Sequence, residues 1–269
     1  MSNTIGVFDS GIGGLTVVKE LLKEHPTERI VYFGDTARVP YGSKSVEIIR
    51  RYAKEDTELL LQHNPKLLVI ACSTMSAVAL DVVEQTAGGI EVIGMIGPTC
   101  SDAIAATSNN KIGIIGTEAT IASKAYERGL SEEASSKGKQ IETFATACPL
   151  FVPLAEEGWQ NHPAALLIVR EYLQPLIDAG IDTLILGCTH YPVLHEVITA
   201  VLGPSVTLIN SGKATAKCIQ RAGQATDDPD HLIMVSDIPR KFQSIGERFL
   251  GHALPQVKQV VYKEAWVVV

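Results

Sequence analysis

No apolar stretch in this sequence runs uninterrupted to the length of a membrane-spanning helix. The opening residues, MSNTIGVFDS, hold no basic segment followed by an apolar one, so no export signal is expected and the chain is expected to be cytoplasmic. No CxxC pair occurs, and the seven histidines are scattered without ligand spacing, which argues against a zinc site. The five cysteines, Cys72, Cys100, Cys148, Cys188 and Cys218, are odd in number and far apart. Without an export signal they read as reduced thiols, not as a disulfide framework. Basic residues number 23 against 30 acidic ones, for a formal net charge of −7, and no Lys/Arg cluster reverses that balance. An acidic surface argues against a protein that grips a nucleic-acid backbone. Aromatic residues are only 6% of the chain, so Val, Ile, Leu and Ala must fill most of any core.

What the chain does have is enough apolar material, 46% of 269 residues, for one large domain or two modest ones. Short apolar runs alternate with segments of helical period. Strands are expected at Ile5–Phe8, Ile30–Phe33, Leu67–Ala71, Glu91–Gly94, Lys111–Ile115, Ile141–Phe144, Thr183–Leu186, Thr207–Ile209, Leu232–Val235 and Val257–Val261. Helices are expected at Ser45–Gln62, Met75–Glu84 and Ala164–Ala179. This rhythm predicts an α/β fold with mainly parallel sheets, covered by helices on both faces, in which sites form beyond the carboxyl ends of the strands.

Two pairs of segments resemble each other. IGVFDSG (5–11) aligns with IGIIGTE (112–118), and LLVIACST (67–74) aligns with TLILGCTH (183–190). The chain therefore reads as an internal duplication, two similar α/β units facing each other across a cleft, each ending one strand on a cysteine. A cysteine directly after a buried parallel strand and before a helix sits where an anion is favoured, so both positions are expected to lower a thiol pKa. One thiolate could take a proton from one face of a carbon while the opposite thiol returns a proton to the other face, which inverts a stereocentre. A single buried cysteine is more often a packing residue. Two at duplicated positions, each followed by Ser or Thr, favour chemistry. Cys100 and Cys218 read as packing, and Cys148 as structural.

Two further stretches stand out. DSGIGGLT (9–16) resembles a dinucleotide fingerprint, but Thr16 occupies the third glycine's position. It reads either as backbone donors and the Ser10 hydroxyl presented at a helix start, suited to a carboxylate, or as a tight turn that needs glycine for steric reasons. GDTARVPYG (34–42) is rich in turn residues, and its Tyr41–Gly42 pair could offer amides and a phenol to a ligand or belong to an ordinary surface loop.

Taken together, these stretches resemble the glutamate racemases of the cofactor-independent aspartate/glutamate racemase family. The resemblance rests on FDSGIGGLTV (8–17), YFGDTARVPYGSKS (32–45), VIACST (69–74), GIIGTEATIASKAYE (113–127), ACPLFVPLAEEG (147–158), DTLILGCTHYPVL (182–194) and LINSG (208–212), which span nearly the whole chain. It implies two similar parallel-sheet α/β domains with the active site between them, one made of residues 1–97 and 206–269 and the other of residues 98–205. It also implies interconversion of L- and D-glutamate for peptidoglycan synthesis, with no cofactor and no metal, and a homodimer among the family's assemblies. Cys72 would act on the α-proton of D-glutamate and Cys188 on that of L-glutamate. Asp9 and His190 would assist the thiols, with Glu156 near the second thiol and Glu157 adjacent to it. Asp9, Ser10, Tyr41, Gly42, Ser73, Thr74, Thr189 and His190 match substrate-contacting positions, and mainly neutral donors are expected there. Thr117, Thr120 and Cys148 match motif residues without an assigned role. The chain departs from the family at Ser73, where Asn is usual, and at Asn210, where Asp is commoner. The competing readings are a relative acting on another amino acid such as aspartate, a thiol redox protein, and a binding protein whose catalysis has decayed.

Overall fold

A computed structural model of the chain describes residues 3–220, 229–238, 242–263 and 265–268. Its strands are β1 (Thr4–Asp9), β2 (Arg29–Gly34), β3 (Leu67–Ile70), β4 (Glu91–Gly94), β5 (Lys111–Gly116), β6 (Glu142–Ala147), β7 (Thr183–Gly187), β8 (Thr207–Asn210), β9 (Leu232–Val235), β10 (Val257–Lys263) and β11 (Ala265–Val268). They form a seven-stranded sheet, β11-β10-β9-β2-β1-β3-β4, and a four-stranded sheet, β6-β5-β7-β8. All neighbours run parallel except β10 and β11, which form an antiparallel pair.

The duplication is visible in the strand order. The run β2-β1-β3-β4 repeats as β6-β5-β7-β8, so β1 corresponds to β5 and β3 to β7. β1 lies between β2 and β3, and β5 between β6 and β7, so each is flanked by the two strands that follow it in the chain, with Phe8 beside Ile70 and Ile115 beside Leu186. A strand flanked by connections leaving in opposite directions opens a crevice at its carboxyl end, and each sheet has one.

The strands carry apolar residues on both faces because helices cover both. Ile5, Val7, Leu67 and Val69 enter a core shared with the smaller sheet's Leu184, Leu186 and Tyr191, and with Phe242 and Phe249. Phe8, Leu68 and Ile70 face a second core with Ile49, Ala53 and Met75. A third core, around Ile112, Ile114, Ile185 and Leu130, lies on the other face of the smaller sheet. This alternation follows the two-residue period of a strand.

Two expectations are corrected. Strand β8, assigned with residues 206–269 to the first unit, pairs with β7 in the smaller sheet through Ile185 and Ile209. The predicted helix Met75–Glu84 is two helices, Ser73–Val78 and Leu80–Ala87, parted at Ala79. Arg50 stabilises the break: its Nη1 donates to the Val78 carbonyl (3.0 Å), and its guanidinium pairs with Asp81 at 2.7 Å. Strand β11 was outside the expected set; AWVV is too short for a periodic signal. No helix among the described residues is long and apolar enough to cross a membrane.

Candidate active site

Both strand-end cysteines open into one cavity of about 290 Å³. The larger sheet's side contributes Ser10, Tyr41, Gly42, Cys72, Ser73 and Thr74, and the smaller sheet's side contributes Thr117, Glu156, Cys188, Thr189 and His190. Gly11, Ile12, Val39, Pro40 and Val152 complete the wall. Among the described residues, no Lys or Arg lines it. Sequence reasoning passed over Val39, Pro40 and Val152, although they lie inside the quoted motifs, because apolar wall residues carry no chemical signature.

Cys72 follows β3 and caps the helix Ser73–Val78, its Sγ accepting from the Met75 amide at 3.5 Å. It also donates to Ser10 Oγ at 3.6 Å. The expected lowering of its pKa is not found. Burial comes first, then the nearby Asp9 carboxylate, and together they push the thiol up to about 12 against the Met75 amide's pull.

Cys188 follows β7 and leads into a short 3-10 turn, Tyr191–Leu194, before the helix His195–Leu202. Its Sγ lies 3.8 Å from His190 Nδ1, and His190 Nε2 lies 3.0 Å from Glu156 Oε1. Glu156 rather than Glu157 therefore makes this contact. Burial works against a charged imidazole, but the hydrogen bonds to Cys188 and Glu156 outweigh it, and the His190 pKa rises to about 10.

Asp9 is completely buried and is not among the residues that line the cavity. Its Oδ2 accepts from the Gly11 amide at 2.9 Å, while Oδ1 has no hydrogen-bond partner among the described residues. Burial raises its pKa, opposed by the His190 charge and by backbone amides. Tyr41 lines the cavity, and its phenol is engaged by a carboxylate. It donates to Asp35, whose carboxylate meets Arg38, and Arg38 further binds Glu55 and Asp56. The backbone of residues 41–42 is thus anchored from behind, and the Gly42 carbonyl accepts from the Ala119 amide across the cleft at 3.1 Å.

The hydroxyls of Thr74, Thr117 and Thr120 form a triangle of 2.9–3.2 Å edges that bridges the two units. Ser73 Oγ is buried near Tyr126 and meets no hydrogen-bond partner of good geometry among the described residues. Both alternatives for the glycine cluster find support. Ser10 and Gly11 face the cavity, whereas Gly13 and Gly14 are glycines for steric reasons: a Cβ on Gly13 would lie 2.5 Å from the His190 ring, and one on Gly14 2.5 Å from Asp9 Cβ. Asn210 caps the helix Ser211–Cys218 by accepting from the Lys213 amide at 3.2 Å, as Asp would. Cys100 and Cys148 are buried as expected, but Cys218 is exposed.

Residues 10–245 match the Asp/Glu/Hydantoin racemase family. The chain belongs to that family. A glutamate racemase from Chlorobaculum tepidum is 52% identical over 263 residues, covering 95% of each chain. The crystal structure of a Francisella tularensis glutamate racemase in complex with D-glutamate superposes with a TM-score of 0.87 at 38% identity, over 96% of this chain and 97% of that one. An aspartate racemase homologue from Pyrococcus horikoshii, 16% identical over 80% of this chain and 96% of its own, shares the family's fold with a TM-score of 0.56.

Proposed function

We propose that this chain is a glutamate racemase in which Cys72 and Cys188 act as opposed acid and base. The observation that carries the reading is that two thiols, on equivalent strands of a duplicated fold, open into one small cavity. In the L-to-D direction Cys188 acts as thiolate. Its sulfur forms an S–H bond with the α-hydrogen, the C–H bond breaks, and the electron pair spreads from the α-carbon into the carboxylate. Cys72 then gives its proton to the opposite face, a new C–H bond forms, and the S–H electrons stay on sulfur. The product differs only in configuration, and one proton has moved from one cysteine to the other. Proton exchange or a reverse turnover restores the starting state. The inventory of protons and electrons closes without an electron acceptor or a cofactor.

The surroundings of the two thiols support these roles. The buried Cys72, near Asp9, is held in its protonated, donor form. His190, positively charged at neutral pH, stands where negative charge on Cys188 is required. The α-proton is a very weak acid, so the carbanion needs a dry site and donors aimed at the carboxylate. The amides and hydroxyls of Ser10, Gly42, Ser73, Thr74 and Thr189 are assigned that task, with Asp9 acting on Cys72 by charge from behind the wall. The two sheets are the two halves of the site, with the chain's return to the larger sheet falling after β8. D-glutamate made in the cytoplasm for peptidoglycan is the physiological product under this reading.

The test is circular dichroism with either glutamate isomer, using chelator-treated protein free of pyridoxal phosphate. Loss of optical activity from both isomers is expected, and Cys72→Ala and Cys188→Ala are each expected to abolish it with the fold intact. Folded protein that turns over L-aspartate and leaves glutamate untouched would move the assignment to the aspartate branch. Wild-type kcat in either cysteine variant would remove that cysteine from the mechanism.

A further inference from the structure

The Glu156 side chain is 41% exposed, so burial does not fix it against His190. Its backbone is held from the other half of the molecule. The helix Phe242–Leu250, which lies between β9 and β10 of the larger sheet, places Arg248 across the end of the helix Phe151–Glu156. Arg248 Nη1 donates to the Ala155 carbonyl (3.0 Å) and to the Glu156 carbonyl (3.1 Å). A cation is favoured at the carboxyl end of a helix, and a planar guanidinium can serve two carbonyls at once. Gly158 leaves room for it: φ is +73°, and a Cβ there would lie 2.8 Å from Arg248 Cζ. The next residue, Phe249, meets the His190 ring edge-on with centroids 5.3 Å apart. One helix turn thus touches both members of the Glu156–His190 pair.

We propose that Arg248 is a positioning residue for proton transfer at Cys188, fixing Glu156 so that its carboxylate stays on His190 Nε2 and the imidazole stays at the sulfur. The inference rests on the two-thiol reading of the site. The charged or titratable groups facing His190 are Cys188 at Nδ1, Glu156 at Nε2 and the Asp9 carboxylate, while Phe249 and Gly13 close the apolar sides. Because Glu156 favours the charged imidazole, loosening it moves the His190 limb of the pH profile to lower pH.

The experiment measures glutamate racemisation against pH in R248M, R248K, E156Q and R248M/E156Q, with thermal melting as a check on folding. R248M is expected to lower kcat by roughly tenfold to a hundredfold, with KM changed by less than about twofold, as for a misplaced catalytic group. It shifts the His190 limb in the same direction as E156Q, and the double variant is no worse than E156Q alone. R248K, with the charge but without the planar fork, recovers part of kcat, and its limb lies between those of wild type and E156Q. That limb serves as the readout if R248M does not fold. A limb unmoved in both Arg248 variants while E156Q moves it, or additive losses in the double variant, would show that Arg248 only docks the helix. If E156Q itself keeps the wild-type profile and kcat, the reading of the Cys188 side fails and the Arg248 proposal falls with it.

Discussion

Gly13→Ala tests whether the glycine turn exists to seat His190. The added methyl carbon would lie 2.5 Å from both Nδ1 and Cε1 of the ring, and closer still to Thr189 Oγ1. An ordinary contact needs about 3.5–4.0 Å, so ring and turn must part by roughly 1 Å or more. The backbone has little freedom to supply that shift. Asp9 Oδ2 holds the Gly11 amide, and the Thr16 hydroxyl donates to the Thr189 carbonyl at 2.7 Å, tying the turn to the residue beside His190. The ring cannot retreat freely either, because Phe249 meets it edge-on. The outcome expected is a His190 displaced from Cys188 Sγ and Glu156, which now lie 3.8 and 3.0 Å away. A displacement of that size in a positioned acid–base group costs up to roughly a hundredfold in kcat. Overpacking lowers stability by about 1–3 kcal/mol, which leaves most domains folded. Steady-state racemisation by circular dichroism, beside a thermal melt, separates the two effects. Gly97→Ala is the control: it lies in a helix with nothing within 4 Å of its would-be Cβ, and it should leave kcat alone. Wild-type kcat in a folded Gly13→Ala variant would refute the reasoning, since the ring would then have room that the geometry denies it.

At Ser73, the buried hydroxyl without a partner of good geometry among the described residues is expected to leave a substrate contact short; Ser73→Asn should raise kcat/KM for glutamate by roughly threefold to tenfold, the worth of one neutral hydrogen bond. A fall for glutamate in the folded variant, measured beside aspartate, would show a pocket adapted to Ser. The raised His190 pKa also predicts a pH dependence of stability: folding favours the protonated ring, so its contribution is complete below the ordinary value of 6.5 and is lost as pH rises through about 10. Denaturant midpoints across that interval should fall less steeply in Glu156→Gln, and an identical slope in both proteins would contradict the pairing.

Ten strands were legible in the sequence because each is a short apolar run bounded by turn residues, and the cysteine tips were legible because they repeat. What could not be read depends on contacts between distant segments. Nothing in TLIN tells which sheet it joins; that choice is made by β7, on which Ile209 pairs with Ile185. The phenol of Tyr41 looked available for a ligand until the fold brought Asp35 and Asp56 around it, with Arg38 offsetting their charge. The raised thiol pKa at Cys72 is hidden from the sequence for the same reason. A helix start is a local feature, but burial and the Asp9 charge are not, and they outweigh it.

The duplication makes the frame symmetric, yet the charges on it are opposite. Asp9 ends β1, and its counterpart at the end of β5 is Gly116. His190 stands two residues after Cys188, and its counterpart two residues after Cys72 is Thr74. Each half therefore retains one ionisable helper at a position where the other half has a small or neutral residue. The carboxylate lies near Cys72, where it opposes loss of the thiol proton, and the imidazole lies beside Cys188, 3.8 Å from its sulfur. Two identical surroundings would hold both thiols in the same protonation state, and a transfer from one face to the other needs one acid and one base. Under the proposed mechanism the two sulfurs act on opposite faces of the substrate carbon, and the unshared Asp9 and His190 are the residues assigned to make one thiol unlike the other.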